Sequence, residues 1–133
     1  MKSIVYFIAL VIAVMPFTSH AEDTMAKEEL KPAAVMFFSA NCGSCKVLDP
    51  RMKEALAHIH NEALDVIVFD FTNRAAITQT KALAEEKALT NVLNEYGART
   101  GFVALVDEKG RIIDEINVGH DVDAIKAKLK ALI

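Results

Sequence analysis

A run of apolar residues from Ala33 to Ser39 leads into Cys42-Gly43-Ser44-Cys45, after which the apolar positions switch to helical spacing. The length of that run, its Phe37 and Phe38, and its bounds at Pro32 and Asn41 predict a buried strand. Asn41 is the expected helix N-cap, and Gly43 to about His60 the expected helix. Val47, Leu48, Met52, Leu56 and Ile59 are its apolar positions, and Pro50 is expected to interrupt and kink it. Two cysteines therefore sit where a strand runs into a helix.

The rest of the chain supplies partners for this unit. Leu64 to Phe71 reads as a second buried strand, opened by Asn61 and closed near Thr72-Asn73. Arg74 to Tyr96 reads as a long helical stretch with room for a break, ended by Gly97. Phe102 to Val106 is a third strand. Asp107-Glu108-Lys109-Gly110 is a hairpin turn with glycine last. Arg111 to Val118 is a fourth strand, antiparallel to the third. Asp121 caps a final helix with Val122, Ile125, Leu129 and Leu132 along one face, acids first and lysines later. This order predicts an α/β chain: a mixed central sheet of about four strands with helices on both faces. No internal repeat or low-complexity segment interrupts it.

The N-terminus is read separately. Lys2 precedes an unbroken apolar run from Ile4 to Met15, then Pro16, then Ser19-His20-Ala21. This is the layout of a secretory signal peptide over residues 1–21, cut after Ala21. The run is shorter than the roughly 20 residues a spanning helix needs, and an uncleaved N-terminal membrane anchor is the alternative. The expected location is the periplasm or another exported compartment. Residues 22–31 read as a polar lead-in and 32–133 as one domain. Without Lys2 the mature chain carries 14 basic and 18 acidic side chains. That modest acidity argues against nucleic acid and against an anionic membrane surface as main partners. The 53% hydrophobic content is inflated by the leader.

Two cysteines three apart close too small a loop to staple a fold. An oxidising compartment lets such a pair cycle between dithiol and disulfide. At a helix start, unpaired amides and the positive dipole end favour a thiolate, which makes Cys42 the expected nucleophile. Cys45, one turn on, is the expected buried resolving thiol. A zinc site needs about four ligands. His58 and His60 face different sides of a helix, His120 is isolated, and His20 leaves with the leader. No metal site and no cofactor are therefore expected. A metal or iron–sulfur module using the same cysteines, and a non-enzymatic binding module, stand as alternatives.

Cys42-Gly43-Ser44-Cys45-Lys46-Val47-Leu48-Asp49-Pro50 resembles the thioredoxin active-site run, with lysine directly after the second cysteine and proline five after it. Val35 to Ala40 looks like the strand that delivers it. Phe102 to Gly110 and Val118-Gly119 resemble the family's terminal hairpin. The resemblance spans Pro32 to Ile133. Asp70-Phe71-Thr72 and the longer third-helix region are most similar to the periplasmic C-terminal domain of the transmembrane disulfide reductase DsbD. The oxidase DsbA is less similar, because its large helical insertion has no room here. The resemblance implies a three-layer fold, protein disulfide or dithiol substrates, and an upstream membrane redox donor. It marks Gly43, Ser44, Lys46, Pro50, Thr100 and Gly101 as motif and substrate-loop residues beside the catalytic pair Cys42 and Cys45.

Several positions depart from the family. Asn41 stands where a tryptophan is usual, and Met36 where a buried aspartate assists proton transfer. No general base for Cys45 is identified; Lys46 and Asp49 are expected to face solvent. No proline follows Pro50, so Thr100 or Gly101 takes the place of the family's cis-proline. A cis bond without proline costs about 3 kcal/mol, so a trans bond is expected, with Gly101 supplying unusual backbone angles. In the family this loop pairs with the bound peptide and shields the cysteines. Losing the ring opens the sulfurs to a metal or to a cluster shared between two chains; the blander expectation is that a Thr-Gly turn replaces it and exchange continues. Phe37, Phe38, Phe69, Phe71, Phe102, Met36 and Met52 are expected core residues. Lys126, Lys128 and Lys130 are expected to form a solvated helix end.

Overall fold

The computed structural model describes residues 30–60 and 62–133. The leader, the lead-in up to residue 29 and the strand opener at position 61 lie outside the described residues. The elements are β1 (Ala33–Phe38), α1 (Gly43–Leu56), β2 (Asp65–Asp70), α2 (Arg74–Glu86), α3 (Thr90–Tyr96), β3 (Phe102–Val106), β4 (Ile112–Asn117) and α4 (Val122–Leu132). They form one four-stranded sheet in the order β2-β1-β3-β4. β1 runs parallel to β2 and antiparallel to β3, and β3 antiparallel to β4. The sheet is mixed and covered on both faces, as the element order predicts.

Side chains alternate across each strand, so β1 feeds two cores. Ala34 and Met36 join Val103, Leu105 and Ile116 under α1 and α4, with Cys45, Leu48, Met52, Ile125 and Leu129. Ala33, Val35 and Phe37 join Ile67, Phe69, Phe102 and Ala104 on the opposite face, with Ala84 and Val92 of α2 and α3. Burial on both faces is why β1 and β3 read as continuous apolar runs rather than alternating ones.

β2 corrects the expectation of a second fully buried strand. It is an edge strand among the described residues, and only one of its faces is covered. Ile67 and Phe69 are buried, whereas Val66 and Val68 are 47% and 46% exposed. Alternating burial fits the apolar run equally well, because β-branched residues suit a pleated surface whether or not it is covered.

α1 ends at Leu56 rather than near His60. His58 N–H donates to Ala55 and Ile59 N–H to Leu56, so the chain tightens to three-residue spacing before leaving the helix. The helix is not interrupted at Pro50, which lies on its exposed side. The inward residues Cys45, Leu48 and Met52 hold both sides of the proline on the core.

The stretch from Arg74 to Tyr96 is two helices. Ala88 ends the first in the left-handed region at φ 56°. Leu89 N–H then returns to Ala84 O at 2.7 Å, the bond of a Schellman end. Gly97, at φ 60°, closes α3 as expected. The hairpin turn also stands: Asp107 Oδ1 accepts from the amides of Lys109 and Arg111, and Gly110 takes φ 76°. Asp121 caps α4, its side chain accepting from Ala124 N–H. The α4 lysines are not uniformly solvated: Lys128 Nζ reaches Asp114 Oδ2 on β4 at 2.6 Å.

Candidate functional site

β1 ends at Phe38, and the chain turns over Ser39 to Cys42 before α1 begins. Cys42 N–H donates to Ser39 O at 3.1 Å, closing that turn. Cys42 itself stays extended, at φ −88° and ψ 114°, and is the N-cap of α1. Its Sγ accepts from Cys45 N–H at 3.2 Å. The expected cap, Asn41, is instead a turn residue one place early, with its own N–H on Ser39 Oγ. A sulfur thus occupies the position where a capping oxygen ordinarily satisfies a free amide.

Cys42 and Cys45 are disulfide-bonded, with Cα atoms 5.2 Å apart. Their environments differ. Cys45 is fully buried under β1, its Sγ 3.6 Å from Phe37 O. Cys42 is only half-buried. The nearest facing backbone is at Gly101, whose N–H donates to the same Phe37 carbonyl at 2.8 Å. A Cβ added to Gly101 would stand 2.8 Å from Ser44 Cβ and 3.3 Å from Cys42 Sγ. Gly101 also takes φ 92°, and no peptide bond among the described residues is cis. The trans loop and the special angles at Gly101 are as expected. Glycine is required there twice over, by its dihedral and by the space beside the sulfur.

The structure thus brings Cys42, Cys45, Ser44 and Gly101 together, with Thr100 half-buried beside them. Gly43 is exposed, with open space where a Cβ would go. Lys46 and Pro50 are exposed on α1 and are not drawn into the cluster. Asp49 pairs with Lys53 at 2.7 Å. Met36 is buried in the same core as Cys45, and no acid among the described residues is buried.

Three polar residues were not anticipated as part of the site. Thr72 Oγ1 accepts from Ala40 N–H at 3.0 Å, tying the Ser39–Cys42 turn to the end of β2. Thr80, 3% exposed, bonds both the N–H and the C=O of Asp70. Arg51 Nη1 donates to the carbonyls of Val118 and His120 at 2.9 and 3.0 Å, clamping α1 to the turn before α4. The available signal was Asp70-Phe71-Thr72: an aspartate two before a threonine at a strand end is the pattern of an Asx-turn. Nothing comparable marks Arg51 or Thr80.

His58 and His60 are exposed, and His120 Nδ1 accepts from Asn117 N–H at 3.1 Å. No group of three or more His, Cys, Asp or Glu among the described residues is placed to hold a metal ion. No helix among them is long and apolar enough to cross a membrane. Behind the loop, burial is the main cause that pushes the Tyr96 phenol above its ordinary range.

No family model and no curated protein matches this chain. Solved structures do. MTB DsbF, in mixed oxidised and reduced forms, superposes with TM-score 0.53 at 18% identity, over 78% of this chain and 82% of that one. A thiol:disulfide interchange protein of the thioredoxin family from Chlorobium tepidum gives 0.54 at 14% identity, over 80% and 83%. The thioredoxin domain of a thiol-disulfide oxidoreductase from Bacteroides vulgatus gives 0.52 at 15%, over 77% and 79%. At such identities the likeness concerns architecture, and with the sheet order and the strand–helix junction it establishes that this chain has the thioredoxin fold.

Proposed function

We propose that this protein is an exported thiol–disulfide oxidoreductase that exchanges electrons with protein disulfides or dithiols through Cys42 and Cys45. The observation that carries this reading is a disulfide with one sulfur half-buried at a helix N-terminus and the other fully buried behind it. Cys42, the more accessible member, meets the substrate. In the reducing direction the Cys42 thiolate attacks a substrate disulfide, forming a mixed disulfide and expelling one substrate thiolate. Cys45 then loses its proton and attacks Cys42 Sγ. The mixed disulfide breaks, the second substrate thiolate leaves, and the Cys42–Cys45 disulfide remains. Two electrons pass to the substrate; run backwards, the same steps oxidise a dithiol.

Gly101 supports this reading because its backbone comes close to Cys42 without a side chain between. Thr100 and Gly101 then form the edge against which a substrate chain lies, and Gly43 and Ser44 flank it. Export through the leader at residues 1–21 supplies an oxidising setting, and a reductant there draws on a membrane redox donor. The likeness of Asp70-Phe71-Thr72 to the DsbD C-terminal domain supports such a relay.

The test is insulin reduction with dithiothreitol. Cys42→Ser should abolish the acceleration given by the wild type; an unchanged rate overturns the reading. In the reduced protein, alkylation should label Cys42 before Cys45, and the reverse order overturns the assignment of roles. A reduction potential of about −270 mV indicates a reductant, and one of about −120 mV an oxidant.

A further inference from the structure

The loop that carries Cys42 is held from outside by a polar chain that the exchange chemistry does not itself use. Ala40 is exposed, yet its N–H leaves the turn for the hydroxyl of Thr72, 32 positions away. That hydroxyl is oriented: Thr72 O–H donates to Asp70 Oδ1, which turns an oxygen lone pair towards Ala40. The same carboxylate oxygen accepts from Thr72 N–H at 2.8 Å, so the residue is held at two atoms. Asp70 is fixed in turn. Thr80 of α2 accepts from its N–H at 2.9 Å and donates to its C=O at 3.0 Å. Thr80 is the buried polar side chain of the described core. Phe71 N–H to Phe38 O, at 2.8 Å, keeps the ends of β2 and β1 level.

Within the turn, the bonds Cys42 N–H to Ser39 O and Asn41 N–H to Ser39 Oγ are local and move with it. The bond to Thr72 references the turn to the sheet. Where the turn sits decides whether Cys42 stays the extended N-cap with its sulfur on the free amide of Cys45.

We propose that Thr72, aligned by Asp70, is a positioning residue for Cys42: it pins the turn that sets the Cys42 sulfur on the N-terminus of α1. The inference deepens the thiol–disulfide reading and rests on it for the use of that sulfur. Without the pin, the helix amides stabilise the Cys42 thiolate less well, and the free thiol is favoured. Threonine is used for an oxygen that accepts from Ala40 and donates to Asp70 at once; valine keeps the shape and lacks both.

The experiment is alkylation of the reduced protein by iodoacetamide across pH, for wild type, Thr72→Val and Thr72→Ser, with unfolding curves as controls. In Thr72→Val, labelling of Cys42 at pH 7 should slow roughly threefold to tenfold, the scale of one lost hydrogen bond, with the rate midpoint moved to higher pH. Thr72→Ser should restore both. A wild-type rate and midpoint in Thr72→Val, or a Thr72→Ser as slow as Thr72→Val, overturns the proposal. Hydrogen exchange of the wild type tests it without any substitution: the Ala40 amide should be protected despite its exposure, and exchange at the unprotected rate overturns it. Alkylation requires no protein substrate. If the wild type reduces no disulfide while the Thr72 series behaves as stated, the functional reading falls and the positioning role stands.

Discussion

The two faces of the sheet are built from different materials. On the α2 and α3 face, Phe37 is the hub of a ring cluster. It stacks on Phe102 at 4.6 Å and on Phe71 at 5.9 Å, and meets Phe69 and Tyr96 edge-on at 5.3 and 5.2 Å. On the α1 and α4 face the core is aliphatic, with Leu48, Leu105, Ile116, Ile125 and Leu129 around Cys45. Flat rings have few rotamers and defined contact geometries, whereas aliphatic chains and Met36 and Met52 adapt more readily. The aromatic face thus holds β1 and β3 from behind, and these strands deliver Phe38 to the cysteine turn and Phe102 to the Gly101 loop. The cysteines work on the adaptable face.

The largest effect should come from the ring hub. Phe37→Ala should cost about 3–5 kcal/mol of unfolding free energy, and Leu48→Ala about 2–5 kcal/mol. Denaturant titration measures both. The contrast is sharpened by reactivity in the folded protein: Phe37→Ala should also change the Cys42 labelling rate, because losing the ring contacts lets the end of β1 shift, and with it the Phe37 carbonyl that holds Gly101. If Leu48→Ala disturbs the loop more than Phe37→Ala does, the assignment of the aromatic face as the rigid support is wrong.

Gly101→Ala attacks the seam between the faces. The left-handed φ alone should cost about 1–3 kcal/mol, and the contact with Ser44 Cβ adds to it. A double variant with Ser44→Gly should recover the contact and not the dihedral. Full recovery would show that space, rather than backbone conformation, selects glycine.

Ala88→Gly, between the helices of the aromatic face, should stabilise the protein by about 1 kcal/mol, because alanine is strained at a left-handed helix end. A thermal melt reads it. The smallest effect belongs to the other face. The Lys128 ammonium, bonded to Asp114, holds that carboxyl below its ordinary range. A lowered carboxyl stabilises the fold above its unfolded pKa, and the contribution disappears as pH falls through the folded value. Acid titration of stability should therefore be slightly shallower in Asp114→Asn, with little change at neutral pH, since an exposed pair contributes little.

Much of this architecture was legible in the chain. The strand–helix junction, the hairpin at Asp107 to Gly110 and the capped last helix follow from local patterns that packing reinforces. The misreadings share one cause: local patterns do not say what covers an element. Leu64 to Phe71 reads the same whether its second face meets a helix or solvent. The break at Ala88 carries no glycine or proline, because a Schellman end tolerates alanine at a cost. Asn41 is a better cap by residue type than Cys42, and the turn from Ser39 overrides that preference. At the site, Cys42 and Cys45 were visible as residue types at a spacing, whereas Gly101 was reached, with Thr100, only through the resemblance of its loop. Thr72 was noted only within Asp70-Phe71-Thr72 and given no role at the cysteine turn, because its partner lies 32 positions back and only the pairing of β1 with β2 brings them together.

The half-covered edge strand has a consequence for solubility. Val66 and Val68 on an open edge invite a second copy of the strand to add alongside. An added strand can bond only to the outward backbone groups of Val66, Val68 and Asp70, because Asp65 and Phe71 donate towards β1, to Pro32 O and Phe38 O. Thr80 already occupies the Asp70 backbone groups that such a ladder would need. Thr80 thus closes the Asp70 end of the open edge and shortens the stretch on which a second strand could build, beside valines that stay exposed.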